Sequence, residues 1–324
     1  MIWLTWRQQR FEAALAMVAV AVGAAVLFLT RQAMIADLNE LGIPSCISGL
    51  GDSNTCSQAY QAFKDNFGSQ QTLLGALTYL PVLVGVVLAA SISVEMEQGT
   101  YRLAWAQSVT RGRWTFTRVG LPLLFGLAMT GLVAGVTSWW MQPANQVQGP
   151  LRPGSFDVQG FLPPAYMVLA FAITVAGGVL WRRTVPAVGL GIAAGAGIHL
   201  AVQTWLRPSF MAPISYLWTS GPAPYTSQDW VVQGGAGASS YVYQDPTGQQ
   251  LSYEQVQSLC GQVVDAQSKD AWSACLQAHH LGELVRWQPP DRFWEFQVIE
   301  SALVVGIACA LLLLTVWWLR SRTV

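Results

Sequence analysis

Few side chains in this sequence are equipped to do chemistry, and their spacing excludes most of it. The two lysines, Lys64 in AFKDN and Lys269 in QSKDA, sit in no glycine-rich frame. A phosphate-cradling G-x4-G-K-[ST] loop needs such a lysine, so the chain is not by itself a P-loop ATPase. The three histidines, His199, His279 and His280, form no H-E-x-x-H, and the cysteines form no C-x-x-C. The His279–His280 pair reads as a solvated helix end, and no metal site is expected. Without a G-x-S-x-G elbow an intramembrane hydrolase lacks its nucleophile, and no catalytic residue is expected. What remains are polar groups inside apolar runs: His199 with Gln203 one turn later, and Glu300 just inside the last run. Ionisable groups at membrane depth are costly and point to substrate contact or a gate. Their commoner role is hydrogen bonding between helices. Glu12 and Glu95 lie at span ends, where they can reach the interface.

These residues are carried by a chain built for lipid. Only 10% of its 324 residues are charged and 52% are apolar, against about 25% charged in a soluble domain. Net charge is zero, so nothing favours nucleic acid as a partner. Fifteen tryptophans fit anchoring at membrane interfaces. Six runs, 11–30, 72–94, 119–140, 163–181, 185–206 and 298–319, reach the roughly 20 residues needed to cross the hydrocarbon core. The first run is too long, and VLFLTRQAM too poor in small residues, for a cleaved signal. Runs four and five are separated only by Arg182, Arg183 and Thr184 and form a tight hairpin.

Arginine placement orients the spans. Segments 1–10, 95–118, 182–184 and 320–324 carry ten of the seventeen basic residues in far fewer positions than 31–71, 141–162 and 207–297. The positive-inside rule puts the first set, and both termini, in the cytoplasm. Cys46, Cys56, Cys260 and Cys275 then fall outside, where disulfides persist. Four cysteines allow three pairings. Cys46–Cys56 and Cys260–Cys275 are favoured because each stays within one loop, four thiols being the alternative; Cys309 is a packing residue.

The expected fold class is an all-α membrane protein with six transmembrane helices, cytoplasmic termini and a large disulfide-containing extracellular segment between helices five and six. Residues 1–206 hold an interfacial helix, spans one to five and an outer loop at 31–71. Residues 207–297 form the extracellular region, and 298–324 the sixth span and tail. In the outer region, WVV and SYVYQD read as short strands and DPTG as a turn. SYEQVQSLCGQVVDAQSKDAWSACLQAHHLGELV reads as two helices, the first opened by a Ser252–Gln255 capping box. RWQPPDRFWEFQVIE, with Trp287, Phe293, Trp294 and Phe296, reads as an aromatic belt or a short surface-lying helix over an exit path.

Between spans two and three runs EMEQGTYRLAWAQSVTRGRW. Tyr101, Trp105 and Val109 recur every four residues, on one face of a helix lying along the membrane, with Thr100 able to cap its start. The E-x-E-x-G-T-x-R pattern of Glu95, Glu97, Gly99, Thr100 and Arg102, followed by Thr110, Arg111 and Arg113, resembles the permease subunits of ATP-binding cassette exporters of the type-2 permease family, in particular those common in actinobacteria. Six spans and the PPDRFWEFQVIE element add to the resemblance; an outer segment of about 90 residues departs from compact members. The resemblance implies a coupling helix at about 99–109 that docks on an ATPase, with Glu95, Glu97, Gly99, Thr100, Arg102, Trp105, Arg111 and Arg113 at the contact. It implies two separate ATPase subunits holding ATP and Mg, no cofactor on this chain, and a second permease copy or paralogue. It also implies lipid surroundings in a plasma membrane and an amphipathic cargo (drug, lipid or peptide). His199, Gln203, Trp294, Phe296 and Glu300 are the candidates along the pathway. A sensor or assembly protein, relaying outer binding to an ATPase without transport, is the alternative.

Overall fold

The computed structural model describes residues 2–47, 53–99, 116–221, 223–235, 240–260 and 269–322. Among the described residues six helices are long and apolar enough to cross a membrane, and the protein is a multi-pass membrane protein. The first is α1 (Ile2–Glu40). It is one unbroken helix, so the separate interfacial helix expected ahead of span one is corrected: residues 2–22 contain neither proline nor glycine to interrupt it. At about 1.5 Å per residue it is nearly 60 Å long, more than the hydrocarbon core needs. It packs against α2 (Ile43–Ile47) and α3 (Ser53–Ala76). Residues 31–71 are thus largely helical, closed by the Cys46–Cys56 disulfide. Met34, Phe63, Phe67, Trp140 and Met141 form a small core there.

A 3₁₀ turn at Leu77–Tyr79 leads into α4 (Leu80–Gln98), and a π turn at Phe116–Gly120 leads into α5 (Leu121–Gln148). Then follow α6 (Leu162–Trp181) and α7 (Thr184–Ala201). Proline stands in the first turns of α4, α5 and α6, where the missing N–H would be unpaired anyway. The α6–α7 turn is as tight as expected: Arg182 closes α6 at φ 51° and its N–H bonds Gly178 O at 2.9 Å.

Helix α6 is the central post, buried almost throughout, with α4, α7 and the last helix packed on it. Small residues set the spacing. A Cβ on Gly85 of α4 would lie 2.3 Å from Met167 O and 3.0 Å from Phe171 N. In the GLGIAAGAGIHLA stretch of α7, Gly191 and Gly195 face Thr174, Val86 and Val82, while Gly189 and Gly197 meet nothing within 4 Å. The small-residue contact therefore joins α7 to α4 and α6, the close backbone approach that holds helices together in lipid. Gly85→Ala is expected to destabilise the protein by about 1–3 kcal/mol through overpacking. Thermal unfolding in detergent reads this, with Gly131→Ala, which meets open space, as the unaffected control.

Residues after α7 depart from an all-α description. They form an antiparallel sheet of β1 (Ile214–Trp218), β2 (Trp230–Gln233), β3 (Val242–Gln244), β4 (Gln250–Ser252) and β5 (Gly282–Gln288). Strand β5 is the hub, pairing β1 along one edge and β2 and β3 along the other. The expected strands at WVV and SYVYQD are β2 and β3. The LGELV segment, expected at the end of a helix, is part of β5. Its apolar residues had mimicked a helical period, but three strands distant in sequence supply its hydrogen bonds. Helices α8 (Tyr253–Cys260) and α9 (Lys269–Ala278) are joined by the Cys260–Cys275 disulfide. Ser252 and Gln255 form the reciprocal capping box at 2.8 and 3.3 Å. A single 3₁₀ turn, Pro290–Arg292, separates β5 from α10 (Phe293–Arg322). The surface-lying helix read at 286–300 is therefore corrected: its first part is strand and its second part the first turns of the last span.

Candidate gate and coupling sites

At the sheet-bearing end of the bundle, four elements converge on one guanidinium. Arg207 follows the π turn that ends α7 (Val202–Leu206). Both it and Glu300 of α10 are fully buried (0% exposed). Arg207 Nε donates to Glu300 Oε2 at 2.8 Å, and Nη2 donates to Glu300 Oε1 at 2.8 Å and to Asp157 Oδ1 at 2.5 Å. Tyr166 of α6 donates its hydroxyl to Glu300 Oε1 at 2.9 Å. The guanidinium also lies 4.5 Å from the centre of the Phe156 ring. His199 Nε2 is 3.8 Å from Asp157 Oδ1, and its ring meets those of Tyr79 and Tyr166 edge-on at 5.4 and 4.5 Å.

Asp157 belongs to the 149–161 connection, which side chains fasten in place. Gln297 of α10 accepts from Phe161 N–H and donates to Phe156 O, while Thr137 donates to Val158 O. Burial opposes ionisation of Asp157, but the Arg207 guanidinium beside it and the Gly154 N–H override it and hold the carboxyl below the ordinary range. The arrangement is a clasp: one cation, two anions, and one anchor each on a loop, on the end of α7 and on α10.

Of the expected pathway residues, His199 and Glu300 come together in this cluster. Gln203 does not. It lines a separate cavity of about 770 Å³ with Lys64, Arg152, Thr204, Asp229 and Trp230. Phe296 is buried against Phe210 and Trp230, and Trp294 is exposed and packs on Phe161 and Phe293. Asp157, Tyr166 and Arg207 were not singled out in the sequence. The available signal was charge economy: Asp157 is the sole carboxylate in 141–162, and Arg207 directly follows an apolar run.

At the other end, Glu95 lies at the end of its span as expected, and Glu97 shares the last turn of α4 with it. Gly99 closes α4 at φ 70°, a left-handed cap that glycine adopts without strain. Glu95 pairs with Arg118 at 3.1 Å. Glu97 Oε2 accepts the N–H of Thr184, the first residue of α7, at 2.8 Å. Thr100, Arg102, Trp105, Arg111 and Arg113, with the expected coupling helix, lie outside the described residues.

Residues 17–207 match the family described as ABC-2 membrane transporter related. The chain belongs to that family. No curated protein and no solved structure matches it. The match begins in α1 and ends at Arg207, so this permease brings Asp157, Tyr166, His199 and Arg207 from the family region and Glu300 from beyond it. Membership makes the chain a membrane transport component and implies an ATPase partner.

Proposed function

We propose that this permease is the membrane-spanning subunit of an ATP-driven exporter, moving an amphipathic drug, lipid or peptide out across the plasma membrane. The carrying observation is the family match over 17–207. Two separate ATPase subunits grip the 95–114 segment, and a second permease copy or paralogue completes the pathway. Both termini are cytoplasmic, and the sheet-bearing end is outside. ATP binding draws the ATPases together and pushes on α4. The Glu97–Thr184 hydrogen bond passes that displacement to α7, and the clasp around Arg207 is the outer closure that must loosen for release. ATP drives this only because the two states contact the ATPases differently.

One feature supports a second reading, a sensor that relays outer binding to the ATPase: the folded, disulfide-joined sheet region offers a receptor surface. Proteoliposomes holding permease and ATPase separate the two. An exporter moves a labelled phospholipid or hydrophobic peptide in an ATP-dependent way. A sensor raises its ATPase rate with no vesicle transport.

A further inference from the structure

The clasp does not balance its charge. Asp157 and Glu300 contribute two negative charges and Arg207 one positive, all at 1% or less side-chain exposure. The groups facing this centre are Asp157 from the loop, Tyr166 from α6, His199 and Arg207 from α7 and its end, Glu300 from α10 and Tyr79 before α4. Among the described residues no second cation faces it. A buried uncompensated charge is expensive, and the interior relieves it by taking up a proton or a counter-charge. The carboxylates are occupied by Arg207 and Tyr166, whereas neither ring nitrogen of His199 has a hydrogen-bond partner among the described residues.

We propose that the cluster is a proton-binding site whose proton sits on His199. A proton from water bonds to the imidazole nitrogen facing Asp157, leaving hydroxide to the medium. The cluster then carries two positive and two negative charges. The imidazolium closes the 3.8 Å separation to a charge-assisted hydrogen bond, which is shorter. The 149–161 connection is thereby tied to α7 as well as to α10. Acidification on that side of the membrane tightens the clasp, and alkaline conditions loosen it. The cavity lined by Gln203 and Pro208 brings solvent to the immediate neighbours of Arg207. This goes beyond the exporter reading and holds equally for a sensor.

The test uses the full chain in lipid nanodiscs, with His279→Gln and His280→Gln leaving His199 as the one histidine. Imidazole nitrogen NMR is recorded between about pH 8 and about pH 5, the range over which histidine serves as a switch. His199 is expected to be neutral at the upper limit and doubly protonated at the lower. Glu300→Gln, which removes the surplus charge, is expected to move the midpoint towards acid by about one pH unit or more. Asp157→Asn gives the same shift and serves if the first variant does not fold. Hydrogen exchange of residues 149–161 should slow on acidification in the parent and not in a His199→Gln variant. A His199 that stays neutral throughout overturns the proposal. So does a midpoint that neither carboxylate variant moves, or a loop whose exchange ignores both pH and His199.

Discussion

Arg207→Met melts far below the parent protein, by about 3–5 kcal/mol of lost stability, the usual cost of removing one partner of a buried ion pair. The substitution keeps the side chain's bulk. What it removes is three hydrogen bonds and the cation that holds Asp157 and Glu300 within one buried volume. Those two carboxylates are then left facing each other without a donor between them. Tyr166 still satisfies one oxygen of Glu300, so the damage should concentrate on the 149–161 connection and the end of α7. The triple variant Arg207→Met, Asp157→Asn, Glu300→Gln should recover most of the loss, because replacing a whole buried charge group with neutral residues is often nearly neutral. Tryptophan-fluorescence melts in detergent measure both. A single variant that melts with the parent, or a triple variant as unstable as the single, would mean that the charges are not what closes this end.

The second large effect is functional. Glu97→Ala should leave expression intact but lower cargo-stimulated ATP hydrolysis by about 5–150-fold, the span of typical coupling free energies. The carboxylate sits at the positive end of the α7 dipole and is the described hydrogen bond from the end of α4 to the start of α7. Glu97→Gln retains an acceptor and should retain part of the coupling. Trp105→Ala should instead weaken ATPase binding itself, since that residue belongs to the proposed docking face. If Glu97→Ala couples as well as the parent, force reaches α7 by another route.

How far these two sites could be read beforehand differs. The site at the end of α4 was legible, because Glu95, Glu97 and Gly99 fall within five residues and carry a family pattern. Glu95 was read at a span end, where it lies, but the left-handed Gly99 shows that α4 carries Glu97 as well in its last turn. The six spans were legible because lipid demands about 20 apolar residues of each. The cluster around Arg207 was half legible. His199 and Glu300 stood out by the cost of burying them, but Asp157 and Arg207 looked like ordinary loop charges. Positions 157, 207 and 300 meet only after α6, α7 and α10 pack, and no local pattern records that. Strand β5 failed for a related reason: Leu284 and Val285 fit a helix locally, and the partners that make them a strand lie about 70 residues away.

Helix α10 has no hinge where it leaves the bundle. Pro289 and Pro290 stiffen the step from β5, and Arg292 grips both Ala212 O and Gln288. Sheet and last helix are therefore spliced like mast and crossbar. A tilt of α10 would carry the sheet with it. The sheet is in that sense the protein's pointer, and an antibody fragment clamped across β1 and β2 would stall a motion that it never touches.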